Sequence, residues 1–181
     1  KKVKNIKSKN YNIEVTFQDG IQESFDYLII ADGVFSTTKS ILLNEDIKPK
    51  YFGSLAIRTL IKNEDLKFMD KNNINLFLGP DVHVVTYPVN TKNEINLISV
   101  IRKKLNQETL NDESFFSKKD NIINLIKESK IQNNEELKNL FRVADDLKCF
   151  PTFVSRKILL PKQKNIFFIG DSFYTFPPTF A

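Results

Sequence analysis

Two apolar runs far apart in the chain each end on an aspartate beside a glycine. The first is Leu28-Ile29-Ile30-Ala31-Asp32-Gly33, and the second is Ile166-Phe167-Phe168-Ile169-Gly170-Asp171. At the carboxyl end of a buried strand this pairing has a definite chemistry. The glycine lets a ligand come close to the backbone. The carboxylate can accept hydrogen bonds from the hydroxyls of a sugar, as the ribose-binding acid of dinucleotide folds does. A helix following the strand would offer its N-terminal N–H groups to phosphate. Either dipeptide alone is a common turn. Two matched ones, each closing an apolar run, point to a nucleotide-type ligand at the ends of two strands.

A second set of chemistry-bearing residues lies between them. His83 is the one histidine, in "DVHVVTYP", with Tyr87 four positions on. On a strand His83, Val85 and Tyr87 have the same parity and share a face. Arg58, in "AIRTL", can pair with a ligand carboxylate or with a neighbouring acid. The alternative for His83 is a sheet-edge side chain without chemical work. Cys149 is the one cysteine, which excludes an internal disulfide and a multi-cysteine zinc site. It stands in "LKCFPTF" without a nearby histidine and reads as a packed thiol. No Ser-His-Asp or metal-ligand spacing is present.

The elements that must position these residues follow from periodicity. Ile13, Val15 and Phe17 alternate with polar residues, the pattern of a half-buried strand. Asp19-Gly20 signals a hairpin. "YLII" is apolar without alternation and predicts a central strand buried on both faces. "STTKSILLN" predicts a short helix capped by Ser36. "YFGSLAIRTLIK", "INLFLGP", "VHVVTYPV" and "EINLISVIRKK" predict strands of an antiparallel sheet. Residues 112–147 carry apolar positions at i, i+3, i+4 and predict two amphipathic helices. "TFVSRKILL" predicts a return to strand, and "NIFFIGD" a last buried strand. Two buried strands flanking a sheet-plus-helix insert can belong to one parallel sheet, with the insert as a second layer or domain.

Composition narrows the class. Of 181 residues, 41% are hydrophobic and 27% charged, enough for a packed core and too apolar for wholesale disorder. No apolar run approaches the roughly 20 residues that span a bilayer. The net charge is +5, but the lysines are scattered among acids and asparagines. A solvated surface explains them better than a nucleic-acid or membrane face. The single cysteine suits a reducing, cytoplasmic setting.

With these residues in hand a family likeness emerges. "FDYLIIADGVFSTTKSIL" resembles the D-x-L-I-x-A-D-G-x-x-S-x-x-R segment of the flavin-dependent aromatic hydroxylases. "NIFFIGDSFYTFPPTFA" resembles their G-D-A-A-H-x-x-x-P-x-x-G-Q-G segment. The strands between look like the substrate domain of the salicylate hydroxylase-like branch (also the 2-polyprenyl-6-methoxyphenol hydroxylase type). The likeness runs from about residue 11 to the end.

It implies an α/β fold (mixed α+β): part of a Rossmann-like, three-layer FAD-binding domain with an inserted antiparallel-sheet substrate domain. Residues 1–48 and 154–181 would form the FAD-binding part, and 49–153 the substrate part. The family's N-terminal G-x-G-x-x-G unit and its C-terminal end have no counterpart here, so the resemblance implies a piece of a longer enzyme. FAD would be the cofactor. Asp171 would hold its ribityl chain, with Gly170 permitting close approach and Pro177 and Pro178 shaping the turn by the ring. Asp32 and Gly33 would lie near the FAD pyrophosphate and the approach of NADH or NADPH. His83 and Tyr87 would work over the flavin near a phenolic ring, His83 assisting its deprotonation. Arg58 would hold a substrate carboxylate. In such enzymes NAD(P)H reduces FAD, O2 adds to give a C4a-hydroperoxide, and the substrate ring attacks its distal oxygen. The implied partners are a small aromatic substrate, NAD(P)H and O2, without nucleic acid or membrane; a homodimer is compatible with the likeness.

Three positions depart from the motifs. Lys39 stands where the first motif has Arg, Phe35 where His is frequent, and Tyr174 at the His of "AAH". Lys39 keeps the charge but not the bidentate fork. These departures leave a non-catalytic flavoprotein open. A same-fold reductase, epoxidase or halogenase stays open because fold does not fix function, and a basic binding module rests on the pI alone.

Overall fold

The computed structural model describes residues 1–9, 11–62, 64, 66, 70, 72–89 and 93–177. The chain divides into two compact units. One is Lys1–Phe52 with Phe153–Ala181, and the other is Gly53–Thr152.

The first unit holds two small sheets and a helix. Strands β1 (Val3–Lys9), β2 (Asn12–Phe17) and β3 (Gln22–Phe25) form an antiparallel meander. The β2–β3 connection turns at Gly20, whose φ of 85° is the left-handed conformation expected of glycine there. Strand β4 (Leu28–Ile30) pairs in parallel with β10 (Ile166–Phe168), and helix α1 (Thr37–Leu43) follows β4. Ile13, Val15, Ile30, Ile166 and Phe168 make the core, with Leu42, Leu43 and Phe173 packed against it.

The central strand is not buried on both faces, as its unbroken apolar run predicts. Ile30, Ile166 and Phe168 face the core. The register partners Ile29 and Phe167 face the other way and are 62% and 47% exposed. Successive side chains of a strand alternate in direction, so one packed face leaves the other apolar face open.

The second unit is built on a five-stranded sheet in the order β6-β7-β8-β5-β9. Its strands are β5 (Lys50–Lys62), β6 (Asn75–Leu78), β7 (Val82–Pro88), β8 (Glu94–Arg102) and β9 (Lys148–Val154). The first residues of β5 and the last of β9 are counted with the first unit. The β6–β7, β7–β8 and β8–β5 pairs are antiparallel. One face carries Leu55, Ile57, Ile61, Val84, Leu97 and Ile101, all buried.

Residues 112–147 hold three α-helices, not two, α3 (Glu113–Ser117), α4 (Lys119–Glu128) and α5 (Glu135–Arg142), and a further one, α2 (Gln107–Asn111), precedes them. Apolar periodicity finds α4 and α5, whose Ile122, Leu125 and Ile126 and whose Leu137 and Leu140 are buried. Helices α2 and α3 are single turns. They are set by local caps, Asn106 accepting from the Thr109 N–H and Asp112 from the Ser114 N–H.

Two further elements differ from the sequence expectation. Strand β1 arises from the lysine-rich start, its Val3 and Ile6 reaching the core cluster. The strand expected over "TFVSRKILL" begins earlier, at Lys148, and stops at Val154. It carries Pro151 on an edge strand of the sheet, the place within sheets where proline is found. No helix among the described residues is long and apolar enough to cross a membrane.

Candidate functional site

Parallel pairing of β4 and β10 sets Leu28 beside Ile166 and Ile30 beside Phe168. Both strands therefore run out at the same end of the pair, and both Asp-Gly motifs follow there. The Ile169 N–H donates to the Ile30 carbonyl at 3.1 Å, extending the pairing one residue. Ser172, buried in the turn after β10, points its hydroxyl at that same carbonyl and at the Ile169 carbonyl. The second motif is thus fastened to the first by backbone and side chain together.

Both motif glycines need their residue type. Gly33 has φ 81° and Gly170 has φ 57°, and a Cβ at either would meet no atom within 4 Å beyond its chain neighbours among the described residues. Backbone conformation demands glycine there, and the space in front of each is open to a ligand.

The two aspartates differ. Asp32 is engaged: its Oδ2 accepts from the Thr38 N–H at 3.1 Å, while Ser36 Oγ accepts from the Lys39 N–H at 3.0 Å. Two oxygens therefore cap the start of α1. Asp171 is exposed, and no donor among the described residues reaches its carboxylate. Its backbone carbonyl accepts from the Thr175 hydroxyl at 2.9 Å. Thr175 is held in turn by Ser155, through Ser155 N–H to the Thr175 carbonyl at 3.1 Å and Thr175 N–H to Ser155 Oγ at 3.0 Å. A fixed turn thus presents a free carboxylate.

Lys39 links the segments. It is only 5% exposed, its Nζ lies 3.4 Å from the Phe173 carbonyl and 5.6 Å from the centre of the Phe168 ring. Burial pushes its pKa down, and the Asp32 charge pulls it part of the way back. It lines a cavity of about 420 Å³ together with Val34, Ile47, Pro49 and Arg156. The acids at that cavity are already paired, Glu45 with Lys157 at 2.8 Å and Asp46 with Lys48 at 2.9 Å. Lys39 and Arg156 are left as its cations without a carboxylate partner among the described residues.

Phe35, at the other departure from the motif, is exposed and sets its ring edge-on to Phe153, centroids 5.1 Å apart. Tyr174 lies against Phe176 at 4.8 Å. Pro177 is half-buried beyond this turn, and Pro178 lies outside the described residues.

The other chemistry-bearing residues share the second face of the five-stranded sheet, opposite the one filled by Leu55, Ile57 and Val84. Register fixes their rows. Leu60, Asn96 and Tyr87 form one row across β5, β8 and β7. Arg58, Ile98 and Val85 form the next, continued by Leu76 of β6. Ala56, Val100 and His83 form the third, continued by Leu78. Arg58 is exposed, and His83 and Tyr87 are half-buried. A flat apolar ring could lie on such a face with a guanidinium, an imidazole and a phenol at hand.

Sequence reasoning passed over Ser172 and Asn96. Ser172 was visible only as the residue after Gly-Asp, and its bond to Ile30 crosses the whole chain. Asn96 was one of many asparagines until register set it beside Tyr87.

Comparison with known proteins agrees with this architecture. No family model matches the chain. Salicylate hydroxylase of Pseudomonas putida is 26% identical over 114 residues, 56% of this chain and 26% of its own length. The FAD-dependent monooxygenase OpS4 of Beauveria bassiana (strain ARSEF 2860) is 31% identical over 81 residues, 40% of this chain and 19% of its own. Among solved structures, a salicylate hydroxylase substrate complex superposes with a TM-score of 0.75 at 20% identity, covering 95% of this chain and 45% of that one. Klebsiella pneumoniae HpxO complexed with FAD and uric acid gives 0.72 at 18% identity, covering 98% and 44%. The structural likenesses speak for the fold, which is that of FAD-binding hydroxylases. In sequence, the matched segments are similar to FAD-dependent monooxygenases, salicylate hydroxylase among them. It spans about a quarter or less of the length of these curated relatives.

Proposed function

We propose that the protein of which this chain is a part is an FAD-dependent monooxygenase that hydroxylates a small aromatic ring with NAD(P)H and O2. The observation that carries the reading is the side-by-side ending of β4 and β10 on Asp32-Gly33 and Gly170-Asp171, with a free Asp171 carboxylate. Open space before both glycines fits a cofactor that approaches the backbone. Asp171 would accept from the ribityl hydroxyls, and Gly170, Pro177 and Pro178 would border the ring. Asp32 and Gly33 would stand by the pyrophosphate. Bound FAD supplies the chemistry no side chain here can: taking electrons from NAD(P)H and activating O2.

This chain's own residues bind, orient and move protons. Arg58 holds a carboxylate on the substrate through its fork of donors. His83 takes the proton of a ring hydroxyl, which makes the ring a better nucleophile. Tyr87, on the same face, orients that hydroxyl. Lys39 and Arg156 give the first unit a cationic cavity suited to the phosphates of the nicotinamide dinucleotide. HpxO complexed with uric acid and the salicylate hydroxylases suggest oxygen-bearing planar rings as the substrate class.

The test uses the full-length protein and isotopically heavy O2. One labelled oxygen in a hydroxylated product, with NAD(P)H consumed in step, is expected. NAD(P)H consumed with no labelled product would mark a reductase, a labelled epoxide an epoxidase, and bound FAD without turnover a non-catalytic flavoprotein.

A further inference from the structure

Asn96 lies in the row with Leu60 and Tyr87 on the face that carries Arg58 and His83. It is 7% exposed, and its Nδ2 has no hydrogen-bond partner among the described residues. A buried donor left unpaired is costly, and apolar residues fill comparable positions on this strand, such as Ile98 and Val100. An amide that is expensive in the free protein makes sense where a ligand completes it. Its neighbour Leu60 is about half exposed. Exposed side chains change rotamer in picoseconds to nanoseconds, so a ring settling on the face can displace Leu60 and meet the amide.

We propose that the Asn96 amide donates to a carbonyl or carboxylate oxygen on the bound ring, and so selects acid- or carbonyl-bearing rings over plain phenols. The inference rests on the functional reading above and adds to it a specificity residue. Arg58, one row away, would meet the same oxygen group from its other side, and an unmatched ligand would leave the amide unpaired. Sites built to satisfy a polar group reject ligands that lack the partner.

The test uses full-length, FAD-loaded protein, with salicylate as the acid-bearing probe and phenol as the control. Asn96→Leu keeps the branching at Cγ and removes the donor. Without ligand the variant is expected to melt a few degrees higher than wild type, because an orphaned donor is gone. Its salicylate Kd should rise about tenfold or more while its phenol Kd changes less than twofold. A variant that melts several degrees lower would show the amide already paired in the free protein and would overturn the proposal. So would equal losses for both probes, or none for either. Wild type that carries FAD and binds neither probe would contradict the substrate class and the Asn96 role together. Wild type without FAD that still discriminates the probes through Asn96 would contradict the functional reading and leave this one standing.

Discussion

The Ser172 hydroxyl points at the carbonyl of Ile30, the same oxygen that takes the Ile169 N–H at 3.1 Å. One atom at the end of β4 therefore fixes where the Gly170-Asp171 turn sits. Ser172→Ala removes the side-chain half of that tie and leaves the backbone half. The net loss should be about 1 kcal/mol, a drop of a few degrees in Tm by calorimetry. FAD should bind several-fold more weakly, because the turn that presents Asp171 is less restrained. An unchanged flavin affinity would mean that the Ile169 backbone bond, with Thr175 and Ser155, holds the turn without the Ser172 hydroxyl.

The glycines allow a controlled comparison. Gly33, Gly170 and Gly20 all have positive φ, and none has a neighbour that an added Cβ would strike. Alanine at any of them should cost stability through backbone strain alone, on the order of 1 kcal/mol or more. Only Gly33→Ala and Gly170→Ala should also weaken FAD binding, because only they lie in the proposed cofactor site. Gly20→Ala, in the β2–β3 turn, should destabilise without affecting flavin content. Equal flavin loss in all three would assign the effect to folding.

Lys39 makes stability depend on pH in a known direction. Its pKa is lowered in the folded chain by burial, so between that lowered value and the ordinary 10.5 the unfolded state binds more protons. Stability contributed by this group must therefore rise with pH through that window. Lys39→Met removes the charge and should flatten the rise, read as urea midpoints at neutral and alkaline pH. Parallel profiles for wild type and variant would show that the ammonium is solvated in the folded state.

Burial pushes the Cys149 thiol from 9.0 up to about 12. The folded state then holds its proton more tightly than the unfolded one. This contribution is full below about pH 9 and is lost as pH rises toward 12. A thiol reagent at pH 8 should label Cys149 only as fast as the protein opens, and denaturant should speed labelling by orders of magnitude. Prompt labelling of the native protein would contradict its burial.

Much of this architecture was legible in the residues. The Asp-Gly and Gly-Asp pairs, the Ser36 cap, the antiparallel strands and the shared face of His83 and Tyr87 all follow from local rules of turn, cap and period. What was not legible depends on long-range partners. The exposure of Ile29 and Phe167 depends on what covers their face. The strand from Val3 depends on pairing with β2 rather than on its own lysine-rich composition. Helices α2 and α3 are too short for a 3.6-residue period to show. Asn96 acquired meaning only when register put its unpaired amide beside Tyr87.

The central claim is that the ends of β4 and β10 hold FAD, and the visible absorption spectrum of the purified full-length protein tests it most directly. The account predicts flavin bands that are released as FAD on denaturation, and their loss in Asp171→Ala with the fold intact by circular dichroism. A colourless wild-type protein that takes up no added FAD, or an Asp171→Ala variant as yellow as wild type, would contradict it.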